Sequence, residues 1–192
     1  MIRNYKASIL VLLFNKKIHE TKTLISLLSG NVKLDGVQLT IWNNGPEIID
    51  ELPIDYMSNI GLECELIQTV NNKPLSIIYN NFLKKVSADR YVILDDDSCL
   101  SIDFINDILS VRKDELGLPL IFARDKQQEP KFNGQLVTEK PKTTDLGKWF
   151  SIGTGLVLGA DFLKKVRNNY VDVFDERFYF YGVDISLFHR IN

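Results

Sequence analysis

Cysteine and histidine are both scarce in this 192-residue sequence, and their scarcity limits its chemistry. Cys64 and Cys99 are the only cysteines and form no Cys-x-x-Cys pair, so a disulfide framework is not expected. His19 and His189 lie far apart and form no His-Glu-x-x-His motif, which excludes catalysis by several clustered histidines. So few cysteines are typical of a reducing compartment.

Long apolar runs and an excess of one charge are also missing. The longest apolar run, residues 9–14, is much shorter than the roughly 20 residues of a membrane span. No small-residue cleavage site follows it, so a signal peptide is not expected. With 23 basic and 25 acidic residues the net charge is −2, and no general attraction to nucleic acid follows. We expect a cytoplasmic protein, with peripheral attachment at the inner face of the membrane left open.

The composition, 45% hydrophobic and 25% charged, is ordinary for a globular domain. Apolar patterns predict strands that alternate with helices through the first 110 residues or so. The predicted strands cover 7–14, 37–42, 63–70 and 90–94, and the predicted helices cover 20–29, 74–86 and 101–111. This alternation is typical of βαβ units in an α/β fold with a mainly parallel sheet flanked by helices.

Polar residues follow three of these strands: Asn15, the pair Asn43 and Asn44, and the triplet that begins at Asp95. Ligands of parallel sheets bind beyond the carboxyl ends of the strands. We therefore expect these residues to converge on one rim of the sheet.

The triplet Asp95, Asp96 and Asp97 is the sharpest chemical signal. Adjacent carboxylates at the end of a buried strand repel one another unless a cation lies beside them. Asp95 and Asp97 face the same side if the strand continues, and Mg²⁺ or Mn²⁺ prefers such oxygen ligands. The alternative is an acidic turn that stabilises the next helix through its dipole.

Asp184 follows a run of aromatic residues and precedes an apolar helix face. A carboxylate beside aromatic surface suits a general base, and a helix N-cap is the alternative. Phe14 suits stacking on a nucleobase and Trp149 suits a sugar pocket, although core packing is the commoner role of both. Residues 153–159 contain three glycines but fail the dinucleotide-binding spacing, so they are interpreted as close packing near a site.

Residues 124–148 are polar and rich in lysine, and we expect a long segment without regular structure. Such segments are often functional or mobile. The lysines suit an anionic acceptor or a lipid headgroup, and a solvated loop is the alternative.

Taken in order, five segments resemble the motifs of the family-2 glycosyltransferases of the GT-A fold. The segments are 7–15, 41–46, 72–80, 88–97 and 174–184. The closest match is the strand that delivers the family's Asp-x-Asp motif, at 88–97. Asn43 replaces the family's nucleobase-binding aspartate, and Val183 replaces the glutamate of its Glu-Asp pair. A hydrophobic residue before that aspartate resembles the rhamnosyltransferase-like branch.

The resemblance implies a single GT-A domain that performs inverting, metal-dependent transfer of a hexosyl or deoxyhexosyl group. Residues 1–110 would bind a UDP- or dTDP-linked donor, and residues 111–192, with a mobile loop at about 124–148, would bind a saccharide or lipid-linked saccharide acceptor. It implies Asp184 as catalytic base and Asp95 and Asp97 as ligands of Mn²⁺ or Mg²⁺. The implied donor residues are Phe14, Asn15, Asn43, Ser76, Asn80, Asp95 and Asp96, and the implied acceptor residues are Trp149, Gly153, Thr154 and Gly155.

The resemblance also implies a role in bacterial-type polysaccharide or glycoconjugate synthesis. Two other functions stay open. A nucleotidyltransferase would use a similar sheet and metal, but no glycine-rich loop accompanies Lys16 and Lys17 after the first strand. A transferase-like binding module without catalysis would accommodate the departures at Asn43 and Val183.

Overall fold

The computed structural model describes residues 3–30, 32–50, 52, 57–58, 60–138 and 147–192. Its strands are β1 (Asn4–Tyr5), β2 (Ala7–Leu13), β3 (Val37–Asn43), β4 (Leu62–Gln68), β5 (Ser87–Ala88), β6 (Arg90–Asp95), β7 (Leu116–Gly117), β8 (Ile121–Ala123), β9 (Lys126–Glu129), β10 (Lys131–Phe132), β11 (Gln135–Leu136), β12 (Trp149–Phe150) and β13 (Leu156–Gly159). Its α-helices include α1 (Lys22–Ser29), α2 (Leu75–Lys85), α3 (Ile102–Asp107), α4 (Ala160–Asn169) and α5 (Val183–Ile191).

A six-stranded sheet in the order β4-β3-β2-β6-β13-β7 forms the centre of the fold. The first four strands are parallel, and β13 runs antiparallel to both of its neighbours. The predicted mixed α/β fold with a mainly parallel sheet is confirmed.

The central strands are apolar because both faces of the sheet are covered. Every residue of β2 and β3 is buried, as expected for parallel strands between helices. The buried polar side chains on them are paired: Ser8 Oγ donates to Gln38 Oε1 at 2.6 Å, and Gln38 Nε2 donates to Thr40 Oγ1 at 2.9 Å. Pairing removes most of the cost of burying these groups.

One apolar cluster lies on each face of the sheet. Leu24 and Leu27 of α1 pack into one cluster. Phe82 of α2, Leu163 of α4 and Leu187 of α5 pack into the other. The helix predicted over 101–111 is α3 followed by a 3₁₀ turn, Ile108–Ser110. Among the described residues, no helix has the length and apolar character needed to cross a membrane.

The expectation of a long segment without regular structure at 124–148 is wrong over residues 126–136, where β9, β10 and β11 form. Two tight turns pair these strands with their neighbours, at Arg124-Asp125 and Asn133-Gly134, and all four residues have positive φ. Such turns match the twist of a two-stranded hairpin. The prediction of a mobile loop stays a prediction, and residues 139–146 lie outside the described residues.

Candidate active site

Three parallel strands end level with one another and bring their following residues together. Leu13 pairs with Asn43 across β2 and β3, and Leu12 pairs with Asp95 across β2 and β6. Backbone hydrogen bonds then join the loops, since Asn15 N–H donates to Gly45 O at 2.7 Å. Phe14 N–H donates to Asp96 Oδ2 at 3.3 Å. The predicted convergence on one rim is confirmed.

Two buried threonines hold the acidic turn that follows β6. Thr23 Oγ1 donates to Asp95 O at 2.5 Å and accepts from Ser98 N–H at 3.0 Å. Thr154 Oγ1 accepts from Asp95 N–H at 3.1 Å and lies 3.2 Å from Ser98 Oγ. Sequence reasoning missed Thr23, because it comes from a different βα unit. Thr154 was expected in an acceptor pocket, which stays a prediction.

The three acidic side chains have different surroundings. Asp96 is paired with the ammonium group of Lys16, whereas Asp97 is exposed. Asp95 is partly buried, and its burial together with the charges of Asp97, Asp96 and Asp184 raises its pKa to about 6. Asp184 therefore lies within electrostatic reach of Asp95, although it is 89 positions further along the chain.

The residues present fit a divalent cation shared with a substrate. The described residues contain no cluster of three or more His, Cys, Asp or Glu side chains suited to holding a metal alone. Mg²⁺ is usually held by one or two carboxylates and completes its shell with water and substrate phosphates. Asp95 and Asp97 offer that donor set. Burial is the largest cause of the raised pKa of Asp95, and a cation would relieve the repulsion by Asp97 that adds to it.

Asp184 lies in the first turn of α5, one position inside the start of the helix. Its Oδ2 accepts from Gly153 N–H at 3.0 Å, and its Oδ1 accepts from Ile185 N–H at 2.8 Å. Gly182, which has a φ of +79°, holds the N-cap position before the helix. The alternative of Asp184 as N-cap therefore does not hold. Both carboxylate oxygens are thus oriented by backbone donors while the side chain stays half-buried.

Tyr79 of α2 lies between the acidic turn and Asp184. Burial, followed by the charges of Asp95 and Asp184, raises the pKa of its hydroxyl far above the usual range. A Cβ placed on Gly153 would lie 3.9 Å from this hydroxyl and 3.8 Å from the Cβ of Asp184. Sequence analysis gave Tyr79 no role.

A cavity of about 640 Å³ opens beside the rim. Asn15, Asn43 and Gly45 line it together with Lys16 and Lys17. This volume is within the usual range for small-molecule sites. The cavity is therefore lined both by two predicted donor residues, Asn15 and Asn43, and by Lys16, whose ammonium group pairs with Asp96 of the acidic turn. Sequence reasoning gave no site role to Lys16, although it directly follows Asn15.

Three predicted donor residues make hydrogen bonds within the chain. Asn43 Nδ2 donates to Glu47 O at 2.6 Å, and its Oδ1 accepts from Gly45 N–H at 3.0 Å. Ser76 Oγ donates to Phe178 O at 2.6 Å, and Asn80 Nδ2 donates to Phe174 O at 2.9 Å. Ser76 and Asn80 thus tie α2 to the segment before α5. Their contact with a nucleotide stays a prediction.

The predicted acceptor residues separate into two places. Gly153 and Thr154 contact the acidic groups, as described above. Trp149 packs against Phe132, with ring centres 5.0 Å apart, and lines a second cavity of about 790 Å³. Gly155 has a φ of +83° and packs its Cα side against Pro119. A sugar contact by any of the four stays a prediction.

These features define a mixed α/β protein with an acidic site at the carboxyl edge of a mostly parallel sheet. No family model matches the sequence, and no curated protein matches it. The crystal structure of S. aureus TarS is similar, with a TM-score of 0.55 and 11% identity over 96% of this chain and 33% of that chain. A crystal structure of S. aureus TarS 1–349 has a TM-score of 0.38 and 14% identity, over 54% of this chain and 31% of that one.

The chain therefore spans about a third of the TarS chain in the first comparison. At this identity the likeness concerns the fold. The central, mostly parallel sheet flanked by helices is shared with TarS, as the predicted GT-A fold class requires.

Proposed function

We propose that this protein is an inverting glycosyltransferase that moves a sugar from a nucleoside diphosphate donor to an acceptor hydroxyl. The observation that carries the proposal is the closeness of Asp95 and Asp184 at one edge of the sheet: Thr154 Oγ1 accepts from Asp95 N–H, and the adjacent Gly153 N–H donates to Asp184. A metal-phosphate site and a general base must face the same substrate in such a reaction. The shared fold of TarS, a glycosyltransferase, supports the same assignment.

On the donor side, the cavity beside Asn15 and Asn43 would hold the nucleoside. Lys16 lies next to both the cavity and the acidic turn, where a diphosphate would extend. Asp95 and Asp97 would hold Mg²⁺ or Mn²⁺, which supplies positive charge to the departing diphosphate. Thr23 and Thr154 keep the two aspartates in place through the turn backbone.

On the acceptor side, Asp184 would take the proton of the attacking hydroxyl. The acceptor oxygen forms a bond to the anomeric carbon while the bond to the diphosphate oxygen breaks. The nucleoside diphosphate leaves with that electron pair, and a single displacement inverts the anomeric centre. The N–H groups of Gly153 and Ile185 hold the carboxylate in a fixed orientation before the acceptor arrives.

The finer assignments belong to the same proposal and come from the sequence motifs. They are membership of family 2, a rhamnosyltransferase-like branch, transfer of a hexosyl or deoxyhexosyl group, and a UDP- or dTDP-linked donor. A saccharide or lipid-linked saccharide would be the acceptor, in polysaccharide or glycoconjugate synthesis. Such a protein would act in the cytoplasm, with peripheral association at the inner face of the membrane.

A thermal-shift panel tests the donor site. UDP, dTDP and GDP are each added with and without Mn²⁺ or Mg²⁺, because a ligand of the native state raises the apparent stability. We expect one diphosphate to stabilise the protein only with the cation, and Asp97→Ala to abolish the shift. Asp103→Ala, at an exposed acid of α3, is the matched control and keeps it. The absence of any shift in the wild-type protein would contradict the proposal.

A further inference from the structure

Four consecutive aromatic residues, Phe178 to Tyr181, are exposed just before α5. Tyr181 is 94% exposed and Tyr179 is 62% exposed, and the two phenylalanines are each about two-fifths exposed. Single exposed aromatics are ordinary, but a contiguous exposed aromatic patch marks a binding surface. We name residues 178–181 the aromatic run.

The backbone beneath the aromatic run is fixed by hydrogen bonds to α2 and to its own first turn. Ser76 Oγ donates to Phe178 O at 2.6 Å, and Leu75 N–H donates to Tyr179 O at 2.7 Å. Phe178 N–H donates to Asp175 O at 3.0 Å. The backbone is therefore held at Phe178 and Tyr179, which reduces the ordering that binding at this end of the aromatic run requires.

A carboxylate anchors the start of the same turn. Asp175 is buried and accepts from the backbone and guanidinium of Arg177 and from Arg190 Nη2 at 3.1 Å. These donors hold the pKa of Asp175 well below its usual range. The segment that carries the rings is thus anchored at Asp175 as well as at Phe178 and Tyr179.

The aromatic run leads directly into the site. It is separated from Asp184 by Gly182 and Val183. Gly182 has a φ of +79°, and a Cβ at this position would meet the ring of Phe178 at 3.0 Å. The ring of Phe178 therefore packs against the turn that leads into α5, and Tyr181 lies three positions before Asp184.

We propose that Tyr179 and Tyr181 form a stacking subsite for a pyranose ring of the acceptor. One face of a pyranose carries polarised C–H bonds, which are attracted to the negative face of an aromatic ring. Tyrosine also offers a hydroxyl for sugar oxygens and has only two side-chain torsions to order. The subsite rests on the proposed function, since it names the acceptor class for the reaction at Asp184.

The polar groups beside the rings favour a saccharide over an apolar protein surface. Glu176 and Arg177 are both exposed at the base of the aromatic run. Glu176 Oε1 accepts from Asn80 Nδ2 at 3.1 Å, and Arg177 Nε and Nη2 donate to Asp175. The other Glu176 oxygen and Arg177 Nη1 offer an acceptor and a donor next to an apolar face, which is the pairing that sugar hydroxyls require. The core of a protein–protein interface is instead depleted of charged groups.

The test uses the protein labelled with 3-fluorotyrosine and observed by fluorine NMR. Tyr179→Phe and Tyr181→Phe each remove one signal and so assign it. The probes are the methyl α- and β-glycosides of glucose, N-acetylglucosamine and rhamnose, with sorbitol as a polyol without a ring. We expect at least one pyranoside, and not sorbitol, to shift the signals of Tyr179 and Tyr181.

Substitution then separates stacking from general apolar contact. Tyr181→Leu keeps apolar area but removes the aromatic face, and we expect pyranoside affinity to fall about threefold to tenfold. Tyr181→Phe retains the affinity within about threefold. Phe122→Ala, at an exposed aromatic of β8, is the matched control and leaves affinity unchanged.

Three results would overturn the subsite. One is a wild-type protein in which no pyranoside shifts either tyrosine signal. Another is Tyr181→Leu binding pyranosides as well as the wild-type protein. The third is sedimentation showing a dimer that Tyr181→Leu dissociates, since the aromatic run would then join two copies of the chain.

UDP and dTDP binding with Mn²⁺ is measured in the same wild-type samples. Binding of diphosphate without any pyranoside response contradicts the subsite and leaves the proposed function standing. A pyranoside response without binding of either diphosphate, together with the absence of any shift in the thermal panel, contradicts the proposed function and supports a saccharide site at the tyrosines.

Discussion

Two regions of the site differ in chemistry. The charged side lies at the ends of β2, β3 and β6 and carries the acidic turn, and the aromatic side is the aromatic run before α5. Hydroxyl groups of Thr23 and Thr154 brace the charged side. Side-chain and backbone donors of α2, from Ser76 and Leu75, brace the aromatic side. Asp184 lies where the two sides meet, since it interacts electrostatically with Asp95 and is three positions after the end of the aromatic run.

The difference shows how one fold can prepare two unlike surfaces. Carboxylates repel one another, so the charged side needs partners that fix its backbone, which Thr23 and Thr154 supply, and a cation beside Asp96, which Lys16 supplies. Aromatic rings need no neutralisation, so the other side only has to fix the backbone and leave the faces free. A charged donor and an apolar acceptor face could then meet at one carboxylate. The following changes break or sharpen this contrast.

The largest effect is expected at the junction. Asp184→Asn keeps the size of the side chain but removes the proton acceptor, so sugar transfer should fall about 10²- to 10⁴-fold. Release of UDP or dTDP from the corresponding sugar nucleotides with Mn²⁺ measures the reaction, and thermal shift measures nucleoside diphosphate binding. Binding should be unchanged. Full turnover in Asp184→Asn would show that another group acts as the base.

Asp175→Asn should destabilise the aromatic side. The substitution removes the charge that Arg177 and Arg190 share, at a cost of about 1.5–3 kcal/mol in the free energy of unfolding. Because the pKa of Asp175 is lowered by folding, its contribution is present above its ordinary pKa of 3.8 and is lost as the pH falls through the folded value. Urea unfolding should show the difference from wild type at pH 7 and a smaller one below about pH 4. A difference that does not depend on pH would exclude the ionic explanation.

Thr23→Val should destabilise the charged side by about 1–3 kcal/mol, because Ser98 N–H and Asp95 O lose a buried partner. It should also weaken the Mn²⁺-dependent thermal shift. Thr21→Val is the matched control, since Thr21 is also fully buried and its hydroxyl donates to Lys17 O, at 3.0 Å, rather than to the acidic turn. If both valine variants weakened the cation effect equally, the bracing role of Thr23 would be wrong.

Lys16→Met should have the smallest effect on stability, below about 1 kcal/mol, since the Lys16–Asp96 pair is partly exposed. Its effect on diphosphate affinity should be larger, because the ammonium group lines the cavity beside the acidic turn. Calorimetric titration with UDP or dTDP and Mn²⁺ measures that affinity. Unchanged affinity would place Lys16 outside the donor site.

The sequence predicted the parallel half of the fold because its signals are local. Each of β2, β3 and β6 is an apolar run followed by polar residues, and the carboxyl ends of parallel strands meet by geometry. The strands near 126–136 were missed because they are two to four residues long. Their hairpins depend on turn residues with positive φ. These turn residues could not be told apart from the other polar residues around them.

Within the site, the predictable residues were those whose chemistry shows in the sequence, such as the three adjacent aspartates. Thr23 could not be found, because its partner Ser98 is 75 positions away. Ser76 matched a motif, yet its hydroxyl is used to hold Phe178. Tyr181 was singled out because its side chain is exposed. Exposure depends on the folded structure, so the sequence alone could not identify this residue.

A crystal structure with Mn²⁺ and UDP or dTDP, with the ion located by anomalous scattering, tests the central claim most directly. We expect the Mn²⁺ signal beside Asp95 and Asp97, the nucleoside in the cavity lined by Asn15 and Asn43, and the diphosphate on the side that faces Asp184. A nucleotide bound elsewhere, or an ion away from both aspartates, would contradict a single site that joins the charged edge to the base.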